Sequence, residues 1–113
     1  MNTHYSKASL IKIADGDEDF ISIVVHTFLE EIPSDIEALT EAIKNDNKEL
    51  AYQITHKMKP NLEMFGVDVQ KEIKRIETWT RSAKTDNEIQ ENIDALNKVL
   101  NCVFDELKID FPK

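Results

Sequence analysis

The sequence predicts an all-α fold, an antiparallel four-helix bundle with an additional short N-terminal helix, on three observations. Apolar residues recur at spacings of three and four through most of the chain, the signature of amphipathic helices. Two glycines and three prolines in 113 residues leave little turn chemistry for a multi-stranded sheet, whereas the abundant Glu, Lys, Ala, Leu and Ile favour helix. Polar breaks, clearest at Asn45-Asp46-Asn47 and Lys84-Thr85-Asp86-Asn87, divide the chain into segments of helical length with short connections. A chain of this length supports one core, so residues 1–113 are read as a single domain, with 1–5 and 110–113 expected to fray.

In order, Ser6 is placed to cap a short first helix with Ala8, Leu10, Ile11 and Ile13 on its apolar edge, stopped by Asp15-Gly16. Asp17 caps the next, which carries Phe20, Ile21, Val24, Val25, Phe28 and Ile32 inward. Pro33 suits a first turn, so a further helix with Ile36, Leu39, Ala42 and Ile43 inside begins there, after a bend or a nearly continuous join. Asp46 or Asn47 caps a helix that ends at Gly66, the residue best suited to a left-handed cap. The next brings Val69, Ile73, Ile76 and Thr80 inward with Trp79 at the stripe's edge, and the last holds Ile89, Ile93, Leu96, Leu100, Val103 and Leu107. With the two segments around Pro33 joined, four long helices remain, and the first becomes a lid across one end.

Composition narrows the function. A net charge of −8 repels nucleic acid and anionic lipid, and no cluster of Lys and Arg interleaved with aromatics offers a binding stripe. One cysteine cannot make an internal disulfide, and there is neither a signal-peptide pattern nor an apolar run of membrane-spanning length. These features lead us to expect a cytoplasmic, soluble protein with no nucleic-acid or membrane partner.

The informative stretch runs from Gln53 to Gly66. At about 100° per residue, Leu50, Ala51, Ile54, Met58, Leu62 and Phe65 form an apolar stripe centred roughly 25° from Ile54, while His56 sits at roughly 200°. The imidazole is therefore expected to face water, with Tyr52, Lys59, Pro60 and Glu63 around it. A neutral imidazole nitrogen is nucleophilic near pH 7, because in water the group titrates at about 6.5. It can accept a phosphoryl group, whose transfer needs in-line positioning and cationic neutralisation of the phosphoryl oxygens. Lys59, one turn on, is placed for that neutralisation, and Lys57 ranks second.

The run His56-Lys57-Met58-Lys59-Pro60, with Phe65-Gly66 after it, resembles the signature of the histidine phosphotransfer (HPt) domain family, H-x-x-K-G followed by an apolar-Gly pair. Pro60 stands where that family most often has glycine. The resemblance implies a helical unit of about this length with the histidine exposed on a central helix. His56 would then be the phosphoacceptor between receiver-domain aspartates and Lys59 the stabiliser of phosphoryl charge, with Tyr52, Gln53, Lys57, Pro60 and Glu63 docking the partner. It also implies response-regulator receiver domains and a hybrid sensor kinase as partners. No cofactor is expected in this chain, any Mg²⁺ belonging to the receiver. With no Gly-rich loop for ATP, the chain would be a phosphotransfer intermediate and not an autonomous kinase.

Pro60 has a structural consequence of its own: it cannot donate to the carbonyl of His56 and its ring crowds that carbonyl, at about 3 kcal/mol in a helix interior. The sequence therefore predicts a kink at His56 or, alternatively, a helix that stops near Lys59 and leaves His56 an ordinary surface residue. In an antiparallel pair turning at Gly66, Lys74, Glu77 and Thr78 come alongside His56, and Thr78 is the candidate to hold the imidazole. His26 also lies off its stripe but has Leu29 three residues on, so it reads as incidental. His4 falls in the expected tail, and no His or Cys pair has ligand spacing, so no metal site is expected. Cys102 reads as an inert thiol, and Asp15, Asp17, Glu18 and Asp19 as helix capping rather than a calcium loop. The rival function is a non-catalytic helical adaptor binding a partner through the surface around Tyr52, His56 and Pro60. A third possibility is a relative that docks without transferring.

Overall fold

The computed structural model describes residues 4–112. It holds five helices, α1 (Lys7–Ala14), α2 (Glu18–Lys44), α3 (Lys48–Met64), α4 (Gln70–Arg81) and α5 (Ile89–Asp110), and among the described residues no strand. α2 packs on α3, α3 on α4, α4 on α5 and α5 back on α2, while α1 lies against α2 and α3. The long axis of the molecule is 46 Å, close to the roughly 40 Å that 27 helical residues span. No described helix is long and apolar enough to cross a membrane.

Capping follows the local chemistry. The Ser6 side chain accepts from Ser9 N, Asp17 from Asp19 N and Phe20 N, and Asn47 from Leu50 N, each satisfying donors that the first helical turn leaves unpaired. The Asn45-Asp46-Asn47 turn is made with Asp46 in the left-handed region (φ 56°), a conformation Asp tolerates better than most residues.

Both internal prolines sit inside helices. α2 runs unbroken through Pro33, so the two segments expected on either side of it are one helix, and α3 continues through Pro60 to Met64 rather than stopping near Lys59. The local cost is offset by apolar residues buried on both sides of each proline: Phe28 and Ile32 before Pro33 with Ile36 and Leu39 after it, and Ile54 and Met58 before Pro60 with Leu62 after it. Pro60 is also on the exposed side of α3, where water can serve the carbonyl that the ring leaves without a donor.

The core joins all five helices. Phe28 of α2 stacks on Phe65 with centroids 4.0 Å apart, and meets Phe104 of α5 edge-on at 6.1 Å, the latter a geometry that suits the ring quadrupoles. Several expected inward residues are displaced. Ile11, Ile13 and Phe20 are exposed and only Leu10 and Ala14 of α1 are buried, while Trp79 is buried and Thr80 only half-buried. A helix as short as α1 touches its neighbours along a narrow strip, which is why most of its expected apolar edge, Ala8, Ile11 and Ile13, stays in water.

Contacts join the described start of the chain to the last turns of α5. His4 bonds Glu106 through its backbone N–H and its ring, and the Tyr5 hydroxyl donates to Asp110, the last residue of α5. Burial, with the Asp110 carboxylate beside it, pushes the Tyr5 phenol above its ordinary range. Of the ends expected to fray, residues 1–3 and 113 lie outside the described residues.

Gly66 does two things at once. It takes φ +62°, and a Cβ there would stand 2.6 Å from Ser6 Cβ, because Ser6 N donates to Phe65 O and draws the start of α1 onto the end of α3. Gly16 shares the positive φ but has nothing within 4 Å of a Cβ. Gly16→Ala should therefore cost only the backbone term, about 1 kcal/mol, and Gly66→Ala at least about 1 kcal/mol more for the overlap. Urea unfolding of the two variants checks this, and equal losses would contradict it.

The α4–α5 connection is clamped by charge. Arg75 donates to both oxygens of Asp86, which also accepts from Glu88 N at the start of α5. The Arg75 bond first, then the Glu88 N–H, hold the Asp86 carboxyl below the usual range. Asp86 thus releases its proton at lower pH folded than unfolded, so its contribution is complete above about pH 4 and disappears as pH falls through the folded value. The Asp86→Asn variant should unfold at lower urea than wild type at pH 7, with the two midpoints converging as pH falls through the folded value.

Candidate functional site

The site is set by how α3 is rotated. Its buried residues are Ala51, Ile54, Thr55, Met58 and Leu62, with Phe65 just beyond, whereas Leu50, expected inside, is 41% exposed. Replacing Leu50 by Thr55 turns the buried arc by about 25° from the expected centre. Thr55 satisfies its hydroxyl by donating to Ala51 O within the helix, which is what allows a polar residue to be fully enclosed.

His56 remains exposed, as do Tyr52, Gln53, Lys57, Pro60 and Glu63. The imidazole lies against Tyr52, one turn earlier, with ring centroids 5.9 Å apart and planes 17° from parallel. The phenol is therefore a neighbour of the ring as well as a surface residue, and the i−4 spacing alone carried that signal.

The two lysines flanking His56 leave in opposite directions. Lys57 lies on the α2 side and donates to Asp35 Oδ1 at 3.1 Å. Lys59 lies on the α4 side, half-buried, with its ammonium 3.4 Å from both carboxylate oxygens of Glu77. The turn of α3 by about 25° is what moves Lys59 from the water face toward the α3–α4 seam. At 3.4 Å the contact is looser than a tight charge-assisted bond of about 2.8 Å, so the ammonium is held without being locked.

Thr78, the candidate holder of the imidazole, is exposed and lines the groove between α3 and α4 with Lys59, Lys74, Glu77 and Arg81. Among the described residues no hydrogen bond joins it to His56. Of the trio expected beside the histidine helix, Glu77 makes the contact, and it does so with Lys59. Asp35 had no signal in the sequence, since only the packing of α2 on α3 brings it to Lys57. Phe65 and Gly66 serve the docking of α1 and do not line the imidazole.

His26 is exposed and Cys102 half-buried. Among the described residues no group of three or more His, Cys, Asp or Glu side chains is gathered as a metal site. What the arrangement offers chemically is an accessible imidazole beside a phenol ring, with one ammonium on each flank restrained by a carboxylate. Comparison of the chain with protein-family models, with curated protein sequences and with solved structures finds no match.

Asp35 is nine-tenths buried and its Oδ2 has no hydrogen-bond partner, so Lys57 is the one cation balancing it in the described structure. Lys57→Ala should cost about 1–3 kcal/mol by leaving an enclosed carboxylate uncompensated, a penalty kept modest by the lysine's own exposure. Adding Asp35→Asn to that variant should recover part of the loss. Thermal or urea unfolding of the single and double variants measures both.

Proposed function

We propose that α2 to α5 form an antiparallel four-helix bundle to which α1 adds a short helix, and that the chain acts as an HPt domain in a cytoplasmic phosphorelay. His56 takes a phosphoryl group from the aspartyl phosphate of one receiver domain and passes it to the aspartate of another, in a pathway that begins at a hybrid sensor kinase. In the loading step the lone pair of a ring nitrogen forms a bond to phosphorus and the P–O bond to the aspartyl carboxylate breaks. The electron pair leaves on that carboxylate, while the other ring nitrogen keeps its proton or gives it to water. Handing the group on reverses these changes, and Lys59 neutralises the phosphoryl oxygens.

The observation that carries this reading is an exposed imidazole in the middle of a packed helix, open to another protein and with a lysine one turn on. Charge distribution adds to it. α4, beside the histidine helix, has four basic residues against two acidic ones in a chain of net charge −8. That local excess favours an acidic partner surface such as a receiver's phosphorylation pocket. Pro60 is exposed one turn after His56, where a partner would approach.

A second reading is favoured by one specific observation: both lysines beside His56 are already ion-paired. An adaptor that docks through Tyr52, His56 and Pro60 without transferring phosphate fits that as well. Incubation with a phosphorylated receiver in Mg²⁺ buffer decides between them. Phosphotransfer requires acid-labile, alkali-stable label on the wild type, none on His56→Gln, and labelling of Lys59→Ala slowed roughly tenfold. Binding with no label on the wild type would leave the adaptor.

A further inference from the structure

Lys59 cannot serve two anions equally. Its ammonium faces both oxygens of Glu77 at 3.4 Å, and Glu77 is largely enclosed, its side chain 16% exposed against 44% for Lys59. The carboxylate is therefore the fixed partner and the lysine the mobile one, at the end of a flexible four-carbon stem.

Glu77 also has other cations within its reach on its own helix. Lys74 lies three residues before it and Arg81 four residues after, the separations that bring side chains together on a helix face, and all three line the same groove as Lys59. If Lys59 swings away, Glu77 is not abandoned as an isolated charge. The groove thus has the components of an exchange: an ammonium held loosely, a carboxylate that holds it, and two cations able to take its place.

We propose that Glu77 is a positioning residue that restrains the Lys59 ammonium in the α3–α4 groove while His56 is unmodified, and yields it to the phosphoryl oxygens as they arrive. The assignment rests on reading His56 as the phosphoryl acceptor. Glu77 touches neither the imidazole nor the phosphoryl group, and it acts through Lys59 alone. Phosphorylation of His56 is then slowed by the need to separate an existing ion pair, and that separation is easier at high ionic strength.

A small donor tests this without any partner protein. With phosphoramidate, an imidazole nitrogen bonds to phosphorus, the donor's P–N bond breaks and its nitrogen departs as ammonia. Labelling of His56 is followed by mass spectrometry, with exposed His26 as internal reference and helicity checked by circular dichroism. Glu77→Gln, nearly identical in shape, should speed His56 labelling about two- to fivefold, the size expected for release of one partly exposed ion pair, with His26 unchanged. The gain should shrink in high salt and vanish in the Lys59→Ala background.

Equal His56 rates in wild type and Glu77→Gln would overturn the assignment. A gain that persists without Lys59 would also overturn it, since the carboxylate would then be repelling the anionic donor directly. A wild type labelled at His26 but never at His56 would overturn the reading of His56 beneath it. The two failures are thus read from different peaks.

Discussion

The rotation of α3 about its own axis is the constraint on which the rest of the site depends. Once Ala51, Ile54, Thr55, Met58 and Leu62 are buried, every other side chain of that helix has its direction assigned. His56 goes to water, Lys57 to the α2 flank and Lys59 to the α4 flank, because consecutive residues are separated by about 100°. A helix packed on two neighbours, as α3 is on α2 and α4, buries a wider arc than one packed on a single partner. The extra width is what encloses Thr55 and draws Lys59 toward the seam.

That rotation is held at the C-terminal end of α3 by a junction of small groups. Phe65 stacks on Phe28, its carbonyl receives Ser6 N–H, and Gly66 turns the chain where a side chain would overlap Ser6. The same two residues that continue the histidine motif in sequence are therefore engaged in anchoring α1. Their contribution to any chemistry at His56 is indirect, through the placement of the helix that carries it. Pro60 belongs to the same logic: it stays helical because the buried face of α3 outweighs the lost donor, and because His56 and Pro60 both lie on the exposed side, within reach of water.

Charge in the neighbourhood of His56 is organised as pairs that cross helix boundaries. Lys57–Asp35 ties α3 to α2, and Lys59–Glu77 ties α3 to α4. The first involves a carboxylate with one oxygen enclosed and unbonded and so bears mainly on packing. The second is long, half-exposed and flanked by further cations, which suits a contact that is made and broken. Two lysines two positions apart thus have different physical characters because they face different neighbours.

The helical class, the turns at 15–17 and 45–47, the caps at Ser6, Asp17 and Asn47, the turn at Gly66 and the exposure of His56 were all legible in the sequence. They depend on local effects: a 3.6-residue period, a side-chain oxygen near a free N–H, the tolerance of glycine for positive φ. Which of two outcomes holds at each proline was not decided there, a bend or a nearly continuous join at Pro33 and a kinked continuation or a stop at Pro60, because propensity weighs a proline's local cost and cannot weigh the apolar surface buried on either side. Nor was the burial of Thr55 and Trp79, the exposure of Leu50, or the capture of Lys57 by Asp35 and Lys59 by Glu77. Each of those depends on which helix lies beside which and at what rotation, and residues 18 or 22 positions apart meet only after the helices have packed.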